Sequence, residues 1–450
     1  MKGNMVQKRL IALLLACLAS ATISLAQESN ALLDALVKKK ILTVQEAEEI
    51  RADLVREQAA TSAGKIALSS AVTSLKLSGD IRVRYQYDND RRETGDAGDT
   101  QRSRERVRLR LSADLQLVEG WFAGLQLQTG QQSNSGNQTM GEGSAAGFGN
   151  YGIYLSRVFL GWSNEDMTFV AGKMANPFFT TNMVWKSDIN PSGFAQSLDL
   201  MKLFGCQSPV GLKLVAGQFV AADNAENATA DIGNLDSWLF QGQLIASAKL
   251  GEGIKATVAP GYMTYNSGKL IANGNNGVIF EGKDANRNLS IILAPGDVAF
   301  QCFGIPAKVM WDFAYNTQAK ARVNETYGFH DNGNSIYRSR DAIAWLIGFQ
   351  LGANKTQGDL AFLANYRQVG MGALDPNIGD VDFHQQRLNC KGFELMASYN
   401  ITDACVFALT AFLSEHLRDA GKITSPVPGA TGVIRNKRSE VIRADISIKF

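Results

Sequence analysis

Between Leu75 and Tyr87 the chain reads LKLSGDIRVRYQY, and its side chains sort by parity. Leu75, Leu77, Ile81, Val83, Tyr85 and Tyr87 occupy odd positions with Gly79, and Lys76, Ser78, Asp80, Arg82, Arg84 and Gln86 occupy even ones. Successive side chains of a strand point to opposite faces, so this segment has one apolar and one charged face. Arg104 to Leu117 repeats the pattern: Val107, Leu109, Leu111, Ala113, Leu115 and Leu117 alternate with Arg106, Arg108, Arg110, Ser112, Asp114 and Gln116. Both runs exceed the usual strand of about 5–6 residues. They are long enough for the roughly 9–11 residues that a tilted strand needs to cross a bilayer.

Composition permits that reading and removes others. The chain has 450 residues and a net charge of +2, which gives no bulk electrostatic case for binding nucleic acid. No apolar run after residue 26 approaches the ~20 residues of a membrane helix. Residues 1–26 read as a secretory signal peptide. Lys2, Lys8 and Arg9 are its basic region, Leu10 to Leu18 its apolar core, and Ser24-Leu25-Ala26 a small-x-small cleavage site. Cys17 leaves with that signal on this reading. The other four, Cys206, Cys302, Cys390 and Cys405, have no metal-site spacing and read as small buried residues.

Residues 27–60 read as a periplasmic helical hairpin. Leu32, Leu33, Leu36 and Val37 share one helical face, and Thr43 with Glu46 forms a capping box that opens a second helix. The hairpin is expected to pair with copies of itself, giving a homo-oligomer, or to pack on the barrel. Residues 61–74 form an Ala/Ser-rich linker, and 75–450 the barrel. About sixteen strand-like segments run from 75–87 to 438–450, the sixth near 194–205, the ninth near 254–265 and the tenth near 292–303. Short turns alternate with long polar loops at 88–102, 130–151, 175–193, 222–236, 266–291, 317–340, 370–388 and 416–437. That alternation, with an even number of strands, defines a transmembrane antiparallel up-and-down β-barrel of the bacterial outer membrane.

Strand-end aromatics support lipid on the apolar face. Tyr85, Tyr87, Trp121, Trp162, Trp238, Tyr262, Tyr315, Tyr366 and Tyr399 fall at girdle positions. Ile442, Ala444, Ile446, Ile448 and Phe450 alternate with Arg443, Asp445, Ser447 and Lys449, so the chain ends on an amphipathic strand. Such a strand with a terminal Phe is similar to the signal read by the barrel assembly machinery.

Several stretches resemble the putative-porin family of Gram-negative outer membranes. They are ALLDALVKKKILTVQEAEEIRADL, AGKMANPF with VWKSDINPSGFA, FGIPAKVMWDFAYN, AWLIGFQLGANKTQGDLAFLANYR and DVDFHQQRLNCKGFELMASYNITD. The resemblance implies a channel for small hydrophilic solutes and does not supply a substrate. The reading as a whole expects passive diffusion of small solutes or ions, outer-membrane lipid around the barrel and no cofactor. A second reading is a structural protein that ties the membrane to periplasmic material through residues 27–60. Enzyme signatures are missing: His330, His384 and His416 fall in separate loops without a nucleophile or ligand partner at useful spacing.

Two constellations are candidate sites. Arg82, Arg84, Arg106, Arg108, Arg110 and Arg443 share the polar parity. One Arg at mid-depth on the lipid face would cost roughly 2–4 kcal/mol, so this face must line the pore. Asp80, Asp88 and Asp114 are the neighbouring acids expected to hold some of these arginines. The basic excess predicts a mild anion preference. The second constellation is NPFFTTNMVWKSDINPSGF, residues 176–194, a loop by position yet rich in apolar groups. Phe178, Trp185, Lys186 and Asp188 are its key residues if it folds inward as a constriction.

Overall fold

A computed structural model describes residues 43, 45, 46, 48, 50, 68–92, 99–130, 135–142, 149–206, 208–223, 236–266, 288–327, 329–330, 334–418, 423–424 and 436–450. Two compact units divide the chain, residues 1–75 with 116–119 and residues 76–115 with 120–450. In the first, Thr43 donates from N–H and hydroxyl to Glu46 Oε2, both at 2.8 Å, and Glu46 N–H donates back to Thr43 Oγ1 at 3.2 Å. This is the capping exchange expected from the sequence. The signal peptide and almost all of the expected helical hairpin lie outside the described residues, so the hairpin itself is not supported.

A closed sheet accounts for most of the described residues. Nineteen extended segments form it. Sixteen strands remain when the two-residue bridge Gln138–Thr139 is counted with its loop and two proline-broken pairs are counted as single strands. In order they are β1 Val72–Arg92, β2 Thr100–Leu117, β3 Trp121–Thr129, β4 Ile153–Ser163, β5 Met167–Lys173, β6 Ser192–Asp199, β7 Val210–Ala222 and β8 Ser237–Gly251. Then come β9 (Ile254–Val258 and Gly261–Tyr265), β10 (Ser290–Leu293 and Gly296–Cys302), β11 Ile305–Asn316, β12 Ile343–Gly352, β13 Leu360–Val369, β14 Cys390–Asn400, β15 Cys405–His416 and β16 Asn436–Lys449. Consecutive strands are neighbours in the sheet, antiparallel wherever their register is defined, and β1 pairs antiparallel with β16 from Asp80↔Lys449 to Asp90↔Ser439, which closes the ring. Connections at 118–120, 164–166, 200–209, 252–253, 303–304, 353–359 and 401–404 alternate with longer ones at 130–152, 174–191, 223–236, 266–289, 317–342, 370–389 and 417–435.

Four details depart from the sequence reading. First, β1 and β2 run on to Arg92 and from Thr100, so the expected 88–102 loop shrinks to 93–99. Above the apolar belt both strand faces can be polar, so parity gives no stop signal there. Second, β6 ends at Asp199, whose carboxylate accepts from the N–H groups of Met201 and Lys202 and caps the short helix α1, Leu200–Leu203. Third, β9 and β10 break around Pro260 and Pro295, which lack an N–H. Neighbours keep the ladder continuous: Ala259 N–H donates to the Pro295 carbonyl and Ala294 N–H to the Phe313 carbonyl. Fourth, Cys206 is exposed in a turn, whereas Cys390 is buried; all four described cysteines are free.

Outward parity carries an exposed apolar belt that includes Ile81, Val83, Leu160, Leu214, Ile292, Ile347, Phe362, Leu395, Leu409 and Ile446. So continuous a belt is incompatible with water and suited to lipid. The hydrophobic core lies inside the ring. Val215, Phe219, Leu239, Met263, Ile291, Leu293, Ala344 and Leu346 point inward from β7 to β12 and are all buried. The closing seam has its own fit. Gly79 and Phe450 exchange N–H···O bonds at 2.8 and 3.1 Å, and the Phe450 ring fills the space a Cβ at position 79 would need.

Candidate functional site

The polar parity of β1, β2 and β16 gives a wall of arginines. Alternation sends them inward, and strand register then selects their partners. Arg84 donates Nε and Nη2 to the two Asp445 oxygens at 2.6 and 2.8 Å, across the β1–β16 seam. Asp80 serves two guanidiniums: Arg108 Nη2 at 2.6 Å on one oxygen and Arg110 Nε at 2.6 Å on the other. Asp88 holds Arg104. Arg106 and Arg82 instead meet amide oxygens, Gln86 at 3.2 Å and Asn137 respectively. Asp80 therefore acts as the sequence suggested. Asp445, which the sequence did not single out as a partner, holds Arg84.

The loop at 174–191 lies against the opposite wall. Phe178, Met183, Val184, Trp185 and Ile189 are buried with inward residues of the barrel. Trp185 meets Phe219 of β7 edge-on at 5.9 Å and donates its indole N–H to the Ile189 carbonyl at 3.0 Å. Phe178 meets the same Phe219 ring at 6.2 Å. Polar groups on the wall anchor the loop backbone. Gln243 of β8 accepts from Phe179 N–H and donates back to the Phe179 carbonyl, both at 2.8 Å. Asp312 of β11 accepts from Thr181 N–H at 3.1 Å and from its hydroxyl at 2.8 Å. At the loop's end Asn190 accepts from Arg157 of β4 at 2.9 Å, and its carbonyl accepts from Lys173 of β5 at 2.9 Å. A bulge in the β3–β4 pairing at Gln126/Leu127 lets β4 place Ser156, bonded to Gln126, and Arg157 together on the inner face.

Sequence reasoning missed the loop at 370–389. It is as deeply placed as the first: Ala373, Leu374, Phe383 and Leu388 belong to the same buried cluster. Lys186 joins the two loops. Its N–H donates to the Ile378 carbonyl at 2.8 Å, and its ammonium meets Asp382 at 3.0 Å and Asp380 at 3.6 Å. Asp382 also takes Arg443 of β16 at 2.6 Å, and Asp380 takes Arg367 of β13 at 3.0 Å. Arg367 is shared with Glu394 of β14, also at 3.0 Å. Burial works against the Asp382 carboxylate, but Lys186, Arg443 and Arg84 together hold it well below the usual carboxylate range. The signal was present in the sequence: Leu374, Ile378, Val381 and Phe383 are apolar groups in a loop position.

Between the arginine wall and the two loops lies a cavity of about 420 Å³. Arg102, Arg104, Arg106 and Gln86 line one side, and Lys186, Asp188, Asp382 and Gln385 another. Of the residues named from sequence, Arg106, Lys186 and Asp188 thus meet at one cavity. Arg82, Arg84, Arg108, Arg110 and Arg443 stand on the adjoining wall, and Phe178 and Trp185 are buried between the loop and the opposite wall. Among the described residues no cluster has the make-up of a metal site.

A closed, sixteen-stranded antiparallel barrel with an apolar outside and a charged, loop-narrowed inside defines the porin class of architecture. Residues 91–287 match the model of the putative porin family. No curated protein matches the chain. Similar solved structures include a triple mutant of Rhodopseudomonas blastica porin, 12% identical, with a TM-score of 0.42 and cover of 84% of this chain and 100% of that one. Another is Salmonella typhi OmpF in complex with daunomycin, 10% identical, with a TM-score of 0.45 and cover of 85% and 99%. At that distance neither bears on the role of any residue.

Proposed function

We propose that the protein is an outer-membrane porin, a water-filled channel for passive diffusion of small hydrophilic solutes or ions, with a mild preference for anions. The observation that carries the channel reading is the sorting of faces around a closed ring: apolar belt outside, ionic groups inside. A soluble barrel of this size would have no use for the belt, and a solid one no use for the charges. The anion preference rests on the unequal pairing of the wall, where Arg82 and Arg106 meet amides while their neighbours meet carboxylates. On this reading lipid contacts the belt, solute passes along the arginines, and the barrel assembly machinery reads the strand that ends in Phe450. The test is single-channel conductance in a planar bilayer, with the reversal potential in a chloride salt gradient. Discrete channels with anions the more permeant species are expected. A folded barrel that does not conduct would end the channel reading, and cation selectivity would end the arginine reading alone.

A further inference from the structure

We propose that the loop at 370–389 is a second constriction element, clamped across the lumen against the 174–191 loop, and that it sets the size of solute admitted; this rests on the channel reading above. The loop leaves β13 and returns to β14, yet its contacts reach well beyond those strands. Asp382 is bonded to Arg443 on β16, and Gln385 donates to Asp90 on β1. Lys186 of the other loop is bonded to Asp382 and, through its N–H, to Ile378. The loop therefore bridges from its own edge of the barrel to the arginine wall.

It is held in that position. The Arg367 guanidinium lies over the Phe383 ring at 3.9 Å while binding Asp380 and Glu394. At the loop's start the Asn316 amide donates to the Gly372 carbonyl at 2.7 Å, and Gly372 N–H donates to the Asp341 carbonyl at 2.8 Å. His384, Gln385 and Gln386 have φ of 50, 54 and 65°, three successive non-glycine residues in the left-handed region. Such a run persists only where its surroundings impose it. Gly379, Val381, Asp382, Gln385 and Gln386 then form one side of the cavity whose other side is the arginine wall. A segment so placed and so fastened cannot move aside for a solute without breaking buried ion pairs, so its position fixes the free cross-section.

Two variants move the opening in opposite directions. Asp380→Asn with Asp382→Asn removes the clamp while keeping side-chain shape. Gly379→Trp adds bulk at the cavity edge, where a Cβ would meet nothing closer than 3.7 Å. Each is reconstituted in liposomes after heat-modifiability on a gel has shown a folded barrel. Uncharged sugars of increasing size give a swelling readout that is indifferent to charge. The double variant is expected to raise conductance about twofold or more and admit larger sugars, and Gly379→Trp to lower both. A conducting wild type with unchanged sugar cut-off in either folded variant overturns the proposal and leaves the channel reading intact. A non-conducting wild type overturns both.

Discussion

The two inner walls of the barrel are built on opposite principles. On β1, β2 and β16 the inward parity carries Arg82, Arg84, Arg106, Arg108, Arg110 and Arg443. On β7 to β12 the same parity carries Val215, Phe219, Leu239, Met263, Ile291, Leu293, Ala314, Ala344 and Leu346, none more than 4% exposed. Apolar area left in water costs about 25 cal/mol per Å², so the second wall needs a cover. The 174–191 loop supplies it with Phe178, Met183, Val184, Trp185 and Ile189. The first wall needs none, because guanidiniums tolerate water and share carboxylates. The cavity of about 420 Å³ accordingly lies beside the arginines, whereas the half of the lumen facing β7 to β12 is occupied by the loop. Inward parity in a membrane barrel therefore does not mean water-lining.

The apolar wall offers the largest expected effect. Trp185→Ala removes a side chain 3% exposed that bridges Phe178 and Phe219. Truncating a buried aromatic typically costs about 3–5 kcal/mol, enough to undock a single loop. The strand ladders do not depend on it, so the barrel should still shift on a gel when boiled. Conductance should rise and its noise increase as the loop samples the lumen. Wild-type conductance in this variant would show that the filled half is held by other means.

The charged wall gives a smaller effect with a definite sign. Arg106, Arg108 and Arg110 replaced together by Gln remove three positive charges from β2 while keeping polar side chains on the inner face. Reversal potential in a chloride gradient should move towards cations, with conductance changed little. An unmoved reversal potential would show that ions do not pass along this wall.

The division between the walls also marks what the sequence could reveal. Period-two patterning made the strands legible, because lipid outside forces every other residue to be apolar whatever lies within. The inward character of 174–191 was legible as well: Phe178 and Trp185 have no place in a loop surrounded by water. Partner choice was not. Arg84 finds Asp445, which lies 361 positions away, only through the register of the closing seam. The 370–389 loop escaped notice because Asp375, Asp380 and Asp382 among its apolar residues give the composition of a solvated loop. Those acids become structural only when Lys186, Arg367 and Arg443 arrive from three other elements. The breaks at Pro260 and Pro295 fall inside otherwise regular alternation, and parity alone does not see a missing donor.

The smallest and most specific test of the charged wall is Asp80→Asn. One carboxylate there holds two guanidiniums, Arg108 and Arg110, each at 2.6 Å. Asn keeps the shape and can still accept from one of them, but the negative charge is gone. The arginines cannot answer by turning outward, since the lipid face would cost each roughly 2–4 kcal/mol. The lumen thus gains one net positive charge at fixed geometry. Selectivity should shift towards anions, opposite in sign to the triple Gln variant and smaller, because one charge changes and not three. Screening over about 8 Å at 0.15 M salt makes the shift largest in dilute solution and weak near 1 M, where the Debye length falls to about 3 Å. Reversal potentials at both ionic strengths read this directly. A shift towards cations, or none at low salt, would mean that Arg108 and Arg110 face protein and not the conducting water, and would confine the basic passage to Arg82, Arg106 and the cavity above them.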